Sequence, residues 1–230
     1  MPATKYPGKV TSILPLLLLL LLSACSQSPE KSPTGTVTDI DGNRYGTVKI
    51  GSAVWMSENL RTTHYRNGDP VPEVQSPTAW GSTAAGAWCN YDNRAENGNR
   101  FGRLYNWQAV NDPRGLAPRG WHVATDREWS LLATALGGEA VAGASMKASG
   151  KWQGTGNDTA EASGFDALPA GARRDSDGAF VLLEEYSRFW SSTESGPMKA
   201  WGRAMGYFEK ALHRGEVSKR TGFSVRCVQD

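Results

Sequence analysis

The sequence predicts an α+β domain of short antiparallel strands, about two helices and long loops, carried behind an export signal. Strand-like runs punctuated by Gly and Asn turns both open the domain near Thr36 and close it near Val228, with helical periodicity between them. No internal repeat of solenoid length is present. All nine tryptophans lie beyond residue 36, which suggests that aromatics fill the space between short elements.

The N-terminus sets the compartment. Residues 1–24 carry Lys5 and Lys9 and no acid, then an apolar run of Ile13-Leu14-Pro15 followed by Leu16 to Leu22. That run is about half of the ~20 residues needed to cross a bilayer, so it reads as a secretory signal. It ends in Leu22-Ser23-Ala24-Cys25, a lipobox, in which the Cys25 sulfur takes diacylglycerol and cleavage frees its amine for a further acyl chain such as palmitate. An ordinary signal with a chance cysteine, or an uncleaved anchor, are the alternatives. Each buried methylene contributes about 0.8 kcal/mol, so a multiply acylated cysteine anchors stably. Residues 25–35, rich in Ser and Pro, lack apolar periodicity and read as a flexible tether. Ser26, in place of the Asp that retains some lipoproteins at the inner membrane, favours the outer membrane of the cell envelope.

Charge excludes one class of partner. The chain has 25 basic and 23 acidic residues, and removing residues 1–24 leaves 23 of each. A neutral chain lacks the basic face that nucleic acid demands. The 195 residues from Thr36 to Asp230 suffice for one domain with a real core. Cys89 and Cys227, 138 residues apart, remain once Cys25 is lipidated. An even pair in an oxidising compartment usually forms a disulfide, and two buried free thiols are the other reading.

The elements follow in order. Strand-like runs flank Asp41-Gly42-Asn43, a hairpin signal. Thr47–Ile50 and Ala53–Met56 extend it into a meander. Asp39-x-Asp41-Gly42 and Asp175-x-Asp177-Gly178 resemble calcium loops but lack the distal glutamate, so both read as turns. Residues 58–99 are mostly loop. Oxygen-bearing side chains cluster over 91–99, where Ca²⁺ is one reading and a polar loop without metal the favoured one. Arg103–Val110 reads as a short helix. Asp126–Leu136 is the clearest helix: Thr125 and Glu128 make a capping box, Trp129, Leu132 and Leu136 share a face, and Gly137-Gly138 stop it. Glu139–Ala148 is a second helical stretch. Beyond it come a hairpin over Asp177-Gly178, strands at Phe189–Thr193 and Ala200–Met205, and a final strand over Gly222–Val228.

Six blocks, taken in order, carry a family resemblance. They are Trp55-Met56-Ser57-Glu58-Asn59-Leu60; Gly102-Arg103-Leu104-Tyr105-Asn106-Trp107; Gly120-Trp121-His122-Val123; Ser163-Gly164-Phe165 with Ala167-Leu168-Pro169; Phe189-Trp190-Ser191-Ser192-Thr193-Glu194; and Gly222-Phe223-Ser224-Val225-Arg226-Cys227. Together they resemble the Fibrobacter succinogenes major paralogous domain over residues 36–230. The resemblance implies an exported, often lipidated protein with a C-type-lectin-like fold, in which terminal strands pair. Some members carry a cysteine before the Pro-x-Gly-Trp block. Ala117 stands there in this chain, which leaves Cys89 as the partner for Cys227.

Three functions are open. A lectin-like domain on a lipid tether suits a non-catalytic module for surface glycan or envelope protein, with Trp80, Trp88, Tyr91 and Trp152 as candidate stacking residues in loop-like stretches. Each of the four is otherwise a core plug. A structural or adhesive role in an envelope assembly needs no pocket. The last block also resembles formylglycine-generating enzymes, which use paired cysteines and copper. This chain has no His-Glu-x-x-His, Gly-x-Ser-x-Gly or P-loop, and its histidines His64, His122 and His213 are scattered, so no catalytic residue, metal or cofactor is expected. Fold alone does not settle function.

Overall fold

The computed structural model describes residues 1–4, 35–153 and 162–230. Cys25, most of the 1–24 signal and most of the 25–35 tether lie outside the described residues. The architecture is α+β. Strands β1 (Thr36–Thr38), β2 (Arg44–Ile50) and β3 (Ala53–Met56) form the expected meander. The Asp39 carboxylate builds its first turn, accepting the N–H groups of Asp41 (3.0 Å) and Asn43 (2.9 Å), while Gly42 takes the positive φ of 81°.

The rest of the chain brings two distant strands to this meander. With β4 at Trp88–Cys89, β5 at Leu104–Tyr105, β6 at Trp121–Val123 and β12 at Cys227–Gln229, the main sheet runs β1-β2-β3-β12-β6 and is antiparallel throughout. Val228 faces Trp55 on one side and His122 on the other, so the C-terminal strand is a central one. Of the expected 222–228 strand only Cys227 and Val228 join this sheet, in a strand that runs on to Gln229. Gly222, Phe223 and Ser224 instead make single bridges to Arg173, Tyr105 and Phe189, lacing separate sheets together.

Five α-helices are present among the described residues, against about two expected: α1 Pro77–Ser82, α2 Ala95–Phe101, α3 Trp107–Val110, α4 Asp126–Ala135 and α5 Glu139–Met146. The capping box of α4 forms as predicted, with Thr125 Oγ1 accepting Glu128 N–H and Glu128 accepting Thr125 N–H at 2.7 Å. The single helix expected over 103–110 is split. Tyr105 exchanges backbone bonds with Phe223 at 2.9 and 3.0 Å, which holds β5 extended, and Asn106 then caps α3. A long-range ladder here overrides local propensity. No helix among the described residues is long and apolar enough to cross a membrane.

Aromatics and arginines share the core. Trp55, Trp129, Phe165 and Phe189 interlock with ring centroids 5.0–5.9 Å apart. Beside them lies the fully buried Arg226, whose guanidinium donates to Asn59 Oδ1 (2.7 Å) and to the carbonyls of Met56 (2.8 Å), Phe165 (2.6 Å) and Asp166 (3.1 Å). Burial lowers its pKa to about 9. Arg173 acts likewise, holding the carbonyls of Val74, Gln75 and Gly178 between the rings of Trp80 and Phe180. In a chain rich in loops many buried carbonyls lack ladder partners, and a guanidinium supplies five donors in one plane to satisfy them.

The remaining strands are the hairpin β7 (Ala170–Arg173) and β8 (Phe180–Leu183), and a three-stranded sheet of β9 (Tyr186–Gly196), β10 (Lys199–Gly206) and β11 (His213–Ser218), ordered β11-β10-β9.

Candidate functional site

The aromatics singled out from sequence do not form a binding surface. Trp80, Trp88, Tyr91 and Trp152 are 0, 7, 7 and 6 % exposed, and each fills a core cluster. Trp88 Nε1 donates to the Val71 carbonyl (2.9 Å) and Trp152 Nε1 to that of Ala167 (2.8 Å). Loops without regular ladders need such plugs to exclude water, so a loop position did not mean an exposed one. The expected disulfide is also corrected. Cys89 and Cys227 are free, buried thiols in separate clusters. Burial raises both thiol pKa values, that of Cys89 to about 12, which removes the thiolate that nucleophilic chemistry needs. The oxygen-rich stretch over 91–99 is a 3-10 turn, Tyr91–Asn93, leading into α2.

The histidines are scattered, and each meets a carboxylate. His64 Nδ1 lies 2.5 Å from Asp41, and His213 Nε2 lies 2.7 Å from Glu209. Burial opposes ionisation of Asp41, but bonds from Thr63, His64 and Thr62 outweigh it and lower its pKa. The Thr63 hydroxyl meets the same Nδ1 as Asp41, at 3.1 Å, whereas a relay needs nucleophile and acid on opposite ring nitrogens. His122 is held at both nitrogens, by Asp230 (2.7 Å) and Glu128 (2.8 Å), and ties β6 to the capping box of α4. A cleft of about 260 Å³ lined by Asp39, Thr62, Arg66 and Leu116 has its acid already engaged by turn N–H groups and the Tyr45 hydroxyl (2.5 Å).

An open aromatic ledge stands elsewhere, on the three-stranded sheet. Ser187, Phe189, Arg203 and Met205 are buried, and Arg203 bonds Asp126, Ser130 and Glu139 beneath the sheet. Alternation puts Tyr186, Arg188, Ala204 and Gly206 on the other face. Ala204 pairs with Arg188 and His213, and Gly206 pairs with Tyr186. A Cβ on Gly206 would come within 3.0 Å of the Tyr186 ring, so glycine there lets the ring lie on the strand. Phe208, 66 % exposed, stands edge-on to Tyr186 (6.0 Å) and to Tyr207 (5.2 Å).

The loop that carries Tyr207 and Phe208 is pinned from below. Lys147 Nζ donates to the carbonyls of Tyr207 (3.1 Å) and Glu209 (2.7 Å), and Ala144 N–H to that of Lys210 (3.2 Å). Glu209 accepts Gly206 N–H at 3.1 Å. The Lys147 ammonium also lies 5.2 Å from the Trp152 ring centroid, and Tyr207 packs against the core cluster that contains Trp152. Burial raises the Tyr186 pKa, as does the Glu209 carboxylate, and burial lowers that of Arg188. These residues were missed from sequence, although Tyr207-Phe208 between Gly206 and Glu209-Lys210 is an aromatic pair in a hairpin loop.

Strand order, helix placement and the buried arginine lattice define an α+β domain closed by its own C-terminal strand. Residues 48–229 match the Fibrobacter succinogenes major domain, and the chain belongs to that family. No curated protein and no solved structure matches it. The blocks that carry the resemblance build the scaffold: Arg226 bonds Asn59, Met56 and Phe165, Trp190 Nε1 bonds the Tyr105 carbonyl (2.8 Å), and Trp107 Nε1 that of Ser191 (2.9 Å). The ledge residues Tyr186, Tyr207 and Phe208 lie outside those blocks.

Proposed function

We propose that the chain is an envelope lipoprotein, anchored in the outer membrane through lipidated Cys25, whose domain is a non-catalytic module that holds a surface glycan. The observation that carries this reading is the ledge formed by Phe208 and Tyr207 on a pinned loop beside Tyr186 of β9. An exposed aromatic face complements the C–H face of a sugar ring, and a pinned loop loses little entropy on binding. A C-type-lectin-like arrangement belongs to the same proposal. Its support is the central position of the C-terminal strand beside β3 and the long irregular segment between them. The two inert thiols and the carboxylate-bound histidines support a role without catalysis.

A structural or adhesive role is the second reading. It is favoured by an apolar groove of about 240 Å³ between the β2–β3 turn and α4, lined by Ile50, Ala53, Trp55 and Leu131, with Leu131 54 % exposed. A glycan array separates the two. Binding by the full chain that Phe208→Ala abolishes, with melting temperature unchanged, supports the glycan module. No glycan signal, with a fixed envelope protein co-purifying, overturns it in favour of assembly.

A further inference from the structure

We infer that the glycan taken by this ledge is acidic, with Arg188 reading a sugar carboxylate while Phe208 and Tyr186 stack on the ring. This rests on the glycan-binding reading above and narrows it to a substrate class. Arg188 lies directly opposite Ala204 on the same open face as Tyr186. Its guanidinium sits 5.5 Å from the Tyr186 ring centroid and 5.8 Å from that of Phe223. Its Nε is buried and makes no hydrogen bond, and among the described residues no ion pair includes it.

Two of the neighbouring charges are already engaged, and Glu185 is a further carboxylate near Tyr186. Glu209 is paired with His213 and with Gly206 N–H, and Lys147 is turned to backbone carbonyls. Two buried arginines of the core satisfy their donors internally: Arg226 spends its bonds on Asn59 and three carbonyls, and Arg173 on three carbonyls. Arg188 is a partly desolvated cation beside the half-buried Tyr186 ring and the buried Phe223 ring, with donor capacity left over and no ion pair among the described residues. A guanidinium presents a planar fork that matches a carboxylate, and a charge-assisted pair is about twice as strong as a neutral bond. Ala204, directly opposite Arg188, keeps the strand low beside the cation, and Gly206 lets the Tyr186 ring lie on the strand next to it.

The test compares oligogalacturonate, neutral galactan and dextran sulfate as probes, titrated against the full chain and its variants. The expected result is oligogalacturonate binding that weakens with salt, falls at least tenfold in Arg188→Gln and partly recovers in Arg188→Lys, and vanishes in Phe208→Ala. Melting curves keep folding in view, and the Lys variant retains the stacking cation. Galactan bound as tightly as oligogalacturonate, with Arg188→Gln unchanged, overturns the acidic preference and leaves the glycan module standing. Dextran sulfate bound equally well overturns carboxylate reading in favour of plain charge attraction. No binding of any saccharide overturns both.

Discussion

Arg226 Nε donates to Asn59 Oδ1 at 2.7 Å, joining positions 167 residues apart in the chain. Asn59 in turn donates to the Phe101 carbonyl at 2.7 Å and to Ser224 Oγ at 3.3 Å. The loop after β3, the end of α2 and the approach to β12 thus meet at one buried amide. Arg226→Leu strands four acceptors in the core and is expected to cost about 3 kcal/mol or more. Asn59→Ala is expected to cost less, about 2 kcal/mol. Urea unfolding of the purified chain reads both, and a loss below ~1 kcal/mol for Arg226→Leu would remove the lattice from its structural role.

Buried and exposed aromatics are expected to part company on substitution. Trp80→Ala and Trp88→Ala each empty a packed site and should lower stability by about 3–5 kcal/mol. Phe208→Ala removes an exposed ring and should shift stability by no more than about 0.5 kcal/mol. Thermal melts distinguish them. A Trp88 variant as stable as the parent would return that residue to the candidate ligand surface.

His122 makes stability depend on pH. Burial opposes its charge, but bonds to Asp230 and Glu128 outweigh burial and raise its pKa above the ordinary 6.5. Its contribution is full below the unfolded value and is lost as pH rises through the folded one. Glu128 runs the other way: burial raises its pKa, bonds from Thr125 and His122 outweigh that, and the net shift is downward from 4.5. Its contribution is full above the unfolded value and is lost as pH falls through the folded one. The clamp is therefore strongest in the mildly acidic window between the two. His122→Asn should lower the melting temperature more at pH 6 than at pH 9; equal losses would show that the ring acts by packing alone.

The thiols offer a chemical check. Cys89 and Cys227 are buried with raised pKa values, so both should resist alkylation in the folded chain and react fully on unfolding. Peptide mapping after alkylation without reductant reads the outcome. Two peptides joined by a disulfide would restore the bridge that the structure lacks.

Lipidation is testable at the other end. Mass spectrometry of the mature N-terminus should find acylated Cys25, and Cys25→Ser should release the chain from membranes. An unmodified cysteine, or a chain that starts elsewhere, would sink the anchor.

Local signals carried much of the architecture. The Asp41-Gly42-Asn43 turn, the Thr125–Glu128 capping box and the β9–β10 strands are encoded by neighbouring residues, and the structure has them where the pattern placed them. Two-residue strands such as β4 and β5 carry no periodicity to read, because a ladder that short is made by its partner rather than by its own pattern. The glycine- and proline-punctuated stretch 58–99 reads as loop from composition, yet α1 and α2 form there under Trp80 and Phe101, whose burial stabilises helices too short to stand alone.

Sequence by itself determined the α+β class, the family, the neutral charge of the chain after residue 24 and the order of most elements, because these depend on local pattern and on blocks of fixed spacing. Tertiary structure alone decided which aromatics face water, whether the thiols meet, and which arginines keep unused donors. Exposure and pairing are properties of what packs against a residue from far along the chain. Trp88 and Phe208 are both aromatic residues in loop-like sequence; the first is covered by strands and loops around it, and the second is left standing by a loop pinned from beneath at Lys147.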